Sequence, residues 1–426
     1  MGQYLATPNT EKETLHGSHE RLHYGISAQQ GWRKHMEDAH IAEHLRDDCH
    51  IFGVFDGHGG PEVARFCSRR MPTELLRQPA FQDGRYEESL KQVFHRMDEM
   101  MRSREGFTEL EALRKEVEGG KDGEAEEEDT YDMLRKLVHM QRMAGQQAQA
   151  AAGGNGGGPG QGEGANGQAA APESTLQPEV TVQAGCTAVV ALIMGDRLYV
   201  ANAGDSRAVL CRGGRALAMS EDHKPAAPDE RARIMAAGGF LSEIGGITRV
   251  NGNLNLSRAI GDLRYKMNSE LEPKDQIITA EPDVTSARLT PEDAFLVLAC
   301  DGIWDVMTNQ QVVDFVAPRL AGGAPPHEVA SELLNACLAN DPREARGIGC
   351  DNMTAAIVVL HARDASKLVM GGGSCSRGAF LEQHASGGGS SQGGGGGDTA
   401  MKEATPPPEG HPAGASAPAA GAGAKA

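Results

Sequence analysis

The sequence predicts an α+β fold in which two packed, mostly antiparallel sheets carry helices on their outer faces. Three observations lead there. Short, strongly apolar runs are bounded by turn residues, as in Ile51–Phe55, Phe295–Cys300 and Ala355–Leu360, the pattern of buried strands. Two-residue turns of hairpin type join several of these runs. Segments with helical spacing come between the hairpins.

In chain order, Pro61–Met71 reads as a helix. Thr187–Met194, the turn Gly195-Asp196 and Arg197–Ala203 form one hairpin. Arg207–Arg212, the turn Gly213-Gly214 and Arg215–Met219 form the next. Asp229–Ala237 has an N-cap candidate, helical spacing and a glycine stop at Gly238. Ser331–Leu338 is a further helix.

Two segments look unable to bury a core. One, about 99–179, carries the acidic run Glu124–Asp129 and the Gly/Ala/Gln-rich stretch Ala144–Ala171. The other is the tail 364–426, rich in Gly, Ala, Ser and Pro. Such compositions cannot offset chain entropy, so both are expected to be disordered. Within the first, Tyr131–Met143 has helical spacing; a short amphipathic helix and a transient one fit equally. The expected organisation is an N-terminal extension over 1–19 and a single domain over 20–363 interrupted by the insertion. That domain leaves roughly 260 core-forming residues, enough for one large unit.

The 426-residue chain has a formal net charge of −18 and no Lys/Arg block, so it lacks a nucleic-acid footprint. The acidic insertion reads first as a solvated segment and second as a docking surface for a basic partner. Eight cysteines are scattered without a CxxC pair, which points to a reducing, intracellular setting, cytoplasm or nucleus. No apolar stretch is long enough to span a bilayer. At the start, Gly2 is followed by Ala6 where the myristoylation pattern wants Ser or Thr. The match is incomplete, and one acyl chain would bind a membrane only weakly and reversibly.

The chemistry-bearing feature is a set of aspartates at the ends of the apolar runs: Asp56, Asp301 and Asp351. A carboxylate there is costly unless something positive meets it. Several together suit hard divalent cations, and paired cations of this kind catalyse hydrolysis. Taken singly, each aspartate could also be a turn former or helix cap. That alternative is poor for Asp56 and Asp301, which follow buried strands.

These residues also carry a family resemblance. Gly31–His40 (GWRKHMEDAH) resembles the opening motif of the metal-dependent protein phosphatases of type 2C. The resemblance continues, in that family's order, through Val54–Gly60, Gly185–Ala188, Ala201–Arg207, Asp222–Pro225, Ser257–Asp262, Glu281–Val284, Cys300–Val306 and Asp351–Thr354. It implies a four-layer α/β/β/α sandwich with two Mg2+ or Mn2+ ions at one end. Asp56 would bridge both ions, and the Gly57 carbonyl would bind the second. Asp301 and Asp351 would hold the first, and Glu37 and Asp38 would act through metal-bound waters. Asp205 and Asp305, with Asp301, would hold a weaker third ion.

The resemblance further implies a protein serine/threonine phosphatase that hydrolyses its substrate directly, through a water shared by two ions roughly 4 Å apart. No cysteine stands in a His-Cys-x5-Arg setting, which agrees with a metal route. Arg33 is the candidate cation for the phosphoryl oxygens, against the alternative of a surface arginine. His58 is the candidate general acid for the leaving alkoxide; a neutral histidine bonded to a metal-bound water competes with it. Thr187 is expected to pack or hydrogen-bond beside the metal end. Arg258 and Asp262 are expected to brace a flap, and His223 and Lys224 to start a loop with a substrate-edge role open.

Three departures stand out. Gly349 replaces a serine common in the family and is expected to loosen the Asp351 loop. Gly238–Arg249 looks slightly long for the flap. The acidic insertion is longer than usual, as in type 2C members that use it for docking or targeting. Phosphoprotein substrates and a monomer are implied. A scaffold role and action on small phosphorylated molecules remain the alternatives, although intact Asp56, Asp301, Asp351, Arg33 and His58 speak against a dead enzyme.

Overall fold

Central strands of this chain are apolar on both faces because each sheet is covered twice, once by helices and once by the other sheet. In Phe295–Cys300, the residues Phe295, Val297 and Ala299 face a helical layer, while Leu296, Leu298 and Cys300 face the opposing sheet. Phe52 and Val54 likewise point between the sheets, whereas Ile51 and Phe55 point at helices. The period-2 pleat sorts them.

The computed structural model describes residues 4–118 and 182–360. One sheet has six strands, in the order β1 (Asn9–His19), β2 (Leu22–Gly31), β16 (Met353–Leu360), β15 (Asp293–Ala299), β9 (Arg207–Arg212) and β10 (Arg215–Ala218). The facing sheet has five: β14 (Asp283–Arg288), β8 (Arg197–Ala203), β7 (Ala188–Met194), β4 (Cys49–Phe55) and β3 (Ala39–Arg46). A three-stranded patch, β13 (Ile260–Gly261), β6 (Gly185–Cys186) and β5 (Gly57–His58), caps one end. A separate hairpin pairs β11 (Leu241–Ile244) with β12 (Ile247–Val250).

Helices α1 (Glu62–Arg77), α2 (Pro79–Gln82), α3 (Tyr86–Arg102) and α4 (Arg104–Glu118) follow β5. Residues of α1, α3 and α4 fill the core on the five-stranded sheet. After β10 come α5 (Pro228–Ala236), α6 (Asp301–Trp304), α7 (Asn309–Ala321), α8 (Pro326–Cys337) and α9 (Pro342–Ala345). Of these, α7 and α8 cover the six-stranded sheet. The expected α/β/β/α sandwich is the fold observed. Both predicted hairpins and the three predicted helices form, α8 starting five residues earlier than expected at a proline in its first turn.

Two boundaries move. Residues 9–19, read as an extension, are edge strand β1, paired to β2 along its length. Its side chains are almost all exposed, so it has no apolar period to betray it, and charges on such an edge discourage pairing with other chains. The insertion begins later than residue 99: α3 runs to Arg102, and α4 buries Leu110 and Leu113 against α1 and α3. A strongly charged helix had disguised that narrow apolar stripe. The remainder of the insertion, including Tyr131–Met143, lies outside the described residues, as do Gly2 and the tail.

The antiparallel pairing brings eight strand ends to one place. Register pairs Ala39 with Phe55, Ala188 with Ala203, Met353 with Gln29, and Ala299 with both Ala355 and Arg207. The residues just beyond those ends therefore meet. Replacing Leu113 by Ala should cost about 3 kcal/mol if α4 belongs to the core; a urea melt with an unchanged midpoint would return it to the insertion.

Candidate metal and phosphoryl site

Asp56 follows β4, Asp38 precedes β3, Asp301 opens α6 just after β15, and Asp351 precedes β16. All four face one another at the end where the strand ends gather. Burial first, then the charges of Asp301, Asp38, Asp351 and Asp205, drives the Asp56 carboxyl well above the usual range. Asp301 is pushed up in the same way, first by burial and then by Asp205, Asp351 and Asp305. Asp38 rises to about 7, chiefly through burial, although Thr354 Oγ1 donates to its Oδ2 at 2.6 Å. These directions describe acids that repel one another without a countercharge.

Asp38 Oδ1 accepts no hydrogen bond among the described residues although it is buried. A buried polar atom of this kind calls for a partner such as a water or an ion. Ligand atoms of Asp38, Asp56 and Cys300 lie within 4.8 Å of one another. Burial and three nearby aspartates raise the Cys300 thiol well above its ordinary value, which disfavours the thiolate. Cys300 accepts from Thr354 N–H at 3.2 Å and packs between the sheets. The remaining donors are carboxylate oxygens, which suit Mg2+ or Mn2+.

Backbone contacts hold the ligands in place. Thr187 N–H donates to the Asp56 carbonyl at 2.9 Å, and the Thr187 hydroxyl pairs with Ser206 at 2.7 Å. Asn352 accepts from Glu37 N–H at 2.9 Å and donates to the Gln30 and His35 carbonyls, tying the two ligand loops together. Gly57 sits against the Glu37 carbonyl, which a Cβ would meet at 2.3 Å.

The cations stand at the rim. Arg33 donates to Asp351 Oδ2 at 2.5 Å with its side chain 39% exposed, so one face of the guanidinium stays open to a ligand. His58 Nε2 lies 2.6 Å from Asp262 Oδ2, and that aspartate is fully buried. Burial opposes protonation of His58, but Asp262 and Glu37 outweigh it and raise the imidazole. Asp262 was expected in a flap brace; it is the partner of His58. Its backbone is left-handed, φ 48°, and the lack of a Cβ at Gly185 leaves room for the pair, since that atom would fall 2.3 Å from Asp262 Oδ2. Arg258 bonds Glu230 of α5 and Asp283 at the start of β14.

Lys224 also moves from its expected role. Its ammonium pairs with Asp205, and its pKa stands above the ordinary value: burial opposes the charge, but Asp205, Asp301 and Asp305 favour it. A built-in cation thus stands among the three residues expected to hold the weaker ion. His223 is structural, accepting from Gly204 N–H at 3.2 Å on one nitrogen and meeting Asp283 at 3.1 Å on the other.

The protein phosphatase 2C family model matches residues 22–119 and 165–345. The chain belongs to the protein phosphatase 2C family. Protein phosphatase is the activity that goes with this membership, and phosphoproteins are its substrates. A probable protein phosphatase 2C of Oryza sativa is 42% identical over 84% of the chain and 90% of its own length. A protein phosphatase 2C homologue of Schizosaccharomyces pombe is 37% identical over 90% of the chain and 78% of its own length. The fold resembles a serine-threonine phosphatase 2C from Toxoplasma gondii, at TM-score 0.51 and 22% identity over 82% of this chain and 99% of that one. Residues 120–164 fall between the two matched stretches.

Gly349 does not loosen its loop. Its φ is +69°, its carbonyl accepts from Ala339 N–H at 2.8 Å, and a Cβ would lie 2.4 Å from the Cys337 carbonyl. Gly349→Ser should therefore lower stability by about 1–3 kcal/mol through backbone strain. An unshifted denaturation midpoint would show that the loop relaxes at no cost.

Proposed function

We propose that the chain is a metal-dependent protein serine/threonine phosphatase that cleaves phosphoserine and phosphothreonine esters without a covalent phosphoenzyme. The observation that carries this reading is the convergence of Asp38, Asp56 and Asp301, whose carboxyls burial pushes up, with the partly exposed Asp351, beside Arg33 and His58. Asp56, the Gly57 carbonyl, Asp301 and Asp351 would hold two Mg2+ or Mn2+ ions, with Glu37 and Asp38 acting on them through water. Bound there, such ions supply Lewis-acid activation of water near neutral pH and offset charge on the phosphoryl oxygens.

Asp205 and Asp305 would join Asp301 at a third, weaker position, where Lys224 competes for the same carboxylates. Arg33 offers its open edge to two phosphoryl oxygens, orienting the ester while Asp351 fixes the guanidinium plane. His58, protonated and oriented by Asp262, gives its proton to the departing serine or threonine oxygen. Asp262 is a positioning residue: it holds the imidazole and favours the charged form needed for proton donation. The buried, protonated thiol of Cys300 makes no nucleophile, in keeping with direct hydrolysis. Partly exposed Arg33 and His58 suit a phosphorylated segment of a protein surface.

Phosphate release from a phosphothreonine peptide should require Mn2+ or Mg2+, stop with EDTA, and fall by at least roughly a thousandfold in Asp301→Asn, which removes a ligand charge but little volume. Undiminished turnover in that variant would sink the ligand assignment. His58→Ala should slow phosphoserine peptides about a hundredfold while sparing aryl phosphates, whose leaving groups need no proton. Equal losses on both substrates would remove the general-acid role.

A further inference from the structure

The end of the sandwich opposite the acidic site gathers histidines. His44 of β3 and His50 of β4 are directly paired across the ladder. His19 closes β1 in the other sheet. Their rings meet pairwise, with centroids 4.8 Å apart for His19–His44, 4.7 Å for His19–His50 and 4.8 Å for His44–His50. Three imidazoles bound to one ion at about 2.0–2.1 Å in tetrahedral directions place their centroids roughly 5 Å apart. The observed triangle already has that size.

We propose that His19, His44 and His50 form a binding site for a borderline divalent transition ion such as Zn2+, separate from the acidic catalytic pair and spanning the two sheets. Nitrogen chemistry favours the proposal. His44 Nε2 lies 2.6 Å from the Asp47 carbonyl, the outer bond that fixes a ligating histidine's tautomer and leaves Nδ1 free to bind. Asp47 holds the turn in a left-handed conformation, φ 43°.

His50 is 4% exposed, and it packs between the rings of His19 and His44. Burial, then the neighbouring His19 and His44, lowers its pKa to about 4, so the lone pair needed by a metal is available at neutral pH. Both His19 and His44 are exposed, which gives an ion a way in. As the rings stand, the three histidines do not bring one nitrogen each within 4.8 Å of the others, so an ion would bind with ring rotation.

The surroundings fit an imidazole site. Asp48 is tied to Arg21 at 2.9 Å, and Cys49 belongs to the core on the helix side of its sheet with its thiol raised to about 11. Imidazole ligands suit Zn2+, Co2+, Ni2+ and Cu2+, whereas Mg2+ prefers carboxylate oxygen. From His50 to Asp56 is the length of β4, roughly 20 Å. The two sites are therefore independent in ligand chemistry and in space. An ion held by one strand of the six-stranded sheet and two of the five-stranded one would staple the sandwich at its far end.

The test uses the full chain carrying Asp301→Asn, in saturating Mg2+, so that the acidic end does not compete. Equilibrium dialysis against Zn2+ should give one ion per chain, and Co2+ should give the visible absorption of a nitrogen-ligated site. Adding His44→Gln or His19→Gln, both at exposed positions, should abolish the Co2+ band and weaken Zn2+ by at least roughly tenfold. Zn2+ should raise the melting temperature of the parent but not of either variant. No Zn2+ uptake by the parent, or the same uptake in parent and both variants, would overturn the proposal. Far-UV circular dichroism identifies a variant that fails to fold, and the other then decides.

Discussion

Mutual repulsion among buried carboxylates is the constraint around which the rest of this structure is arranged. Asp38, Asp56, Asp301 and Asp351 sit where a sandwich of antiparallel strands brings its ends together, and burial raises the cost of charge on the first three. Left to themselves the loops would splay and let water in. They are held instead by strand register on one side and by Asn352, Thr354 and Thr187 on the other. The protein keeps its acids close at a cost in stability, the usual trade where a site must be ready for a cation.

The same logic explains the fixed positive groups. Arg33 on Asp351, Lys224 on Asp205 and the raised imidazole of His58 on Asp262 are each partial answers to the acidic field. All three stay partly open to solvent, with side chains 45% exposed for Lys224, 39% for Arg33 and 25% for His58. Charge neutralisation is thus spread around the edge of the ring of acids.

What the sequence made legible follows from local physics. Apolar runs with turn residues at their ends mark central strands, and an acid just past such a run is conspicuous because burial makes it expensive. Asp56, Asp301 and Asp351 were therefore readable without knowledge of the fold. The pairing of His58 with Asp262 was not, because the partners are 204 residues apart and neither has a local signature. Lys224 was obscured in the same way: nothing near it announces that its ammonium ends among aspartates. Strand β1 has no apolar alternation because it is an exposed edge, and α4 hides two core leucines in a highly charged stretch. In each of these cases tertiary contact, rather than local pattern, decides.

Strand β4 connects the two ends of the molecule. It begins at His50 among imidazoles and leads directly into Asp56 among carboxylates. Between them every residue is buried, one face against helices and the other against the second sheet, so the strand transmits position as a rigid rod. The sharp placement demanded of Asp56 is therefore set along the whole strand, not only by the loop that follows. A staple at the histidine end would tighten the seam between the sheets and, through β4, the ground on which the acids stand. Borderline nitrogen donors at one end and hard oxygen donors at the other would keep the two functions from exchanging ions. Stability would then be supplied where no substrate needs access, leaving the acidic end open for chemistry.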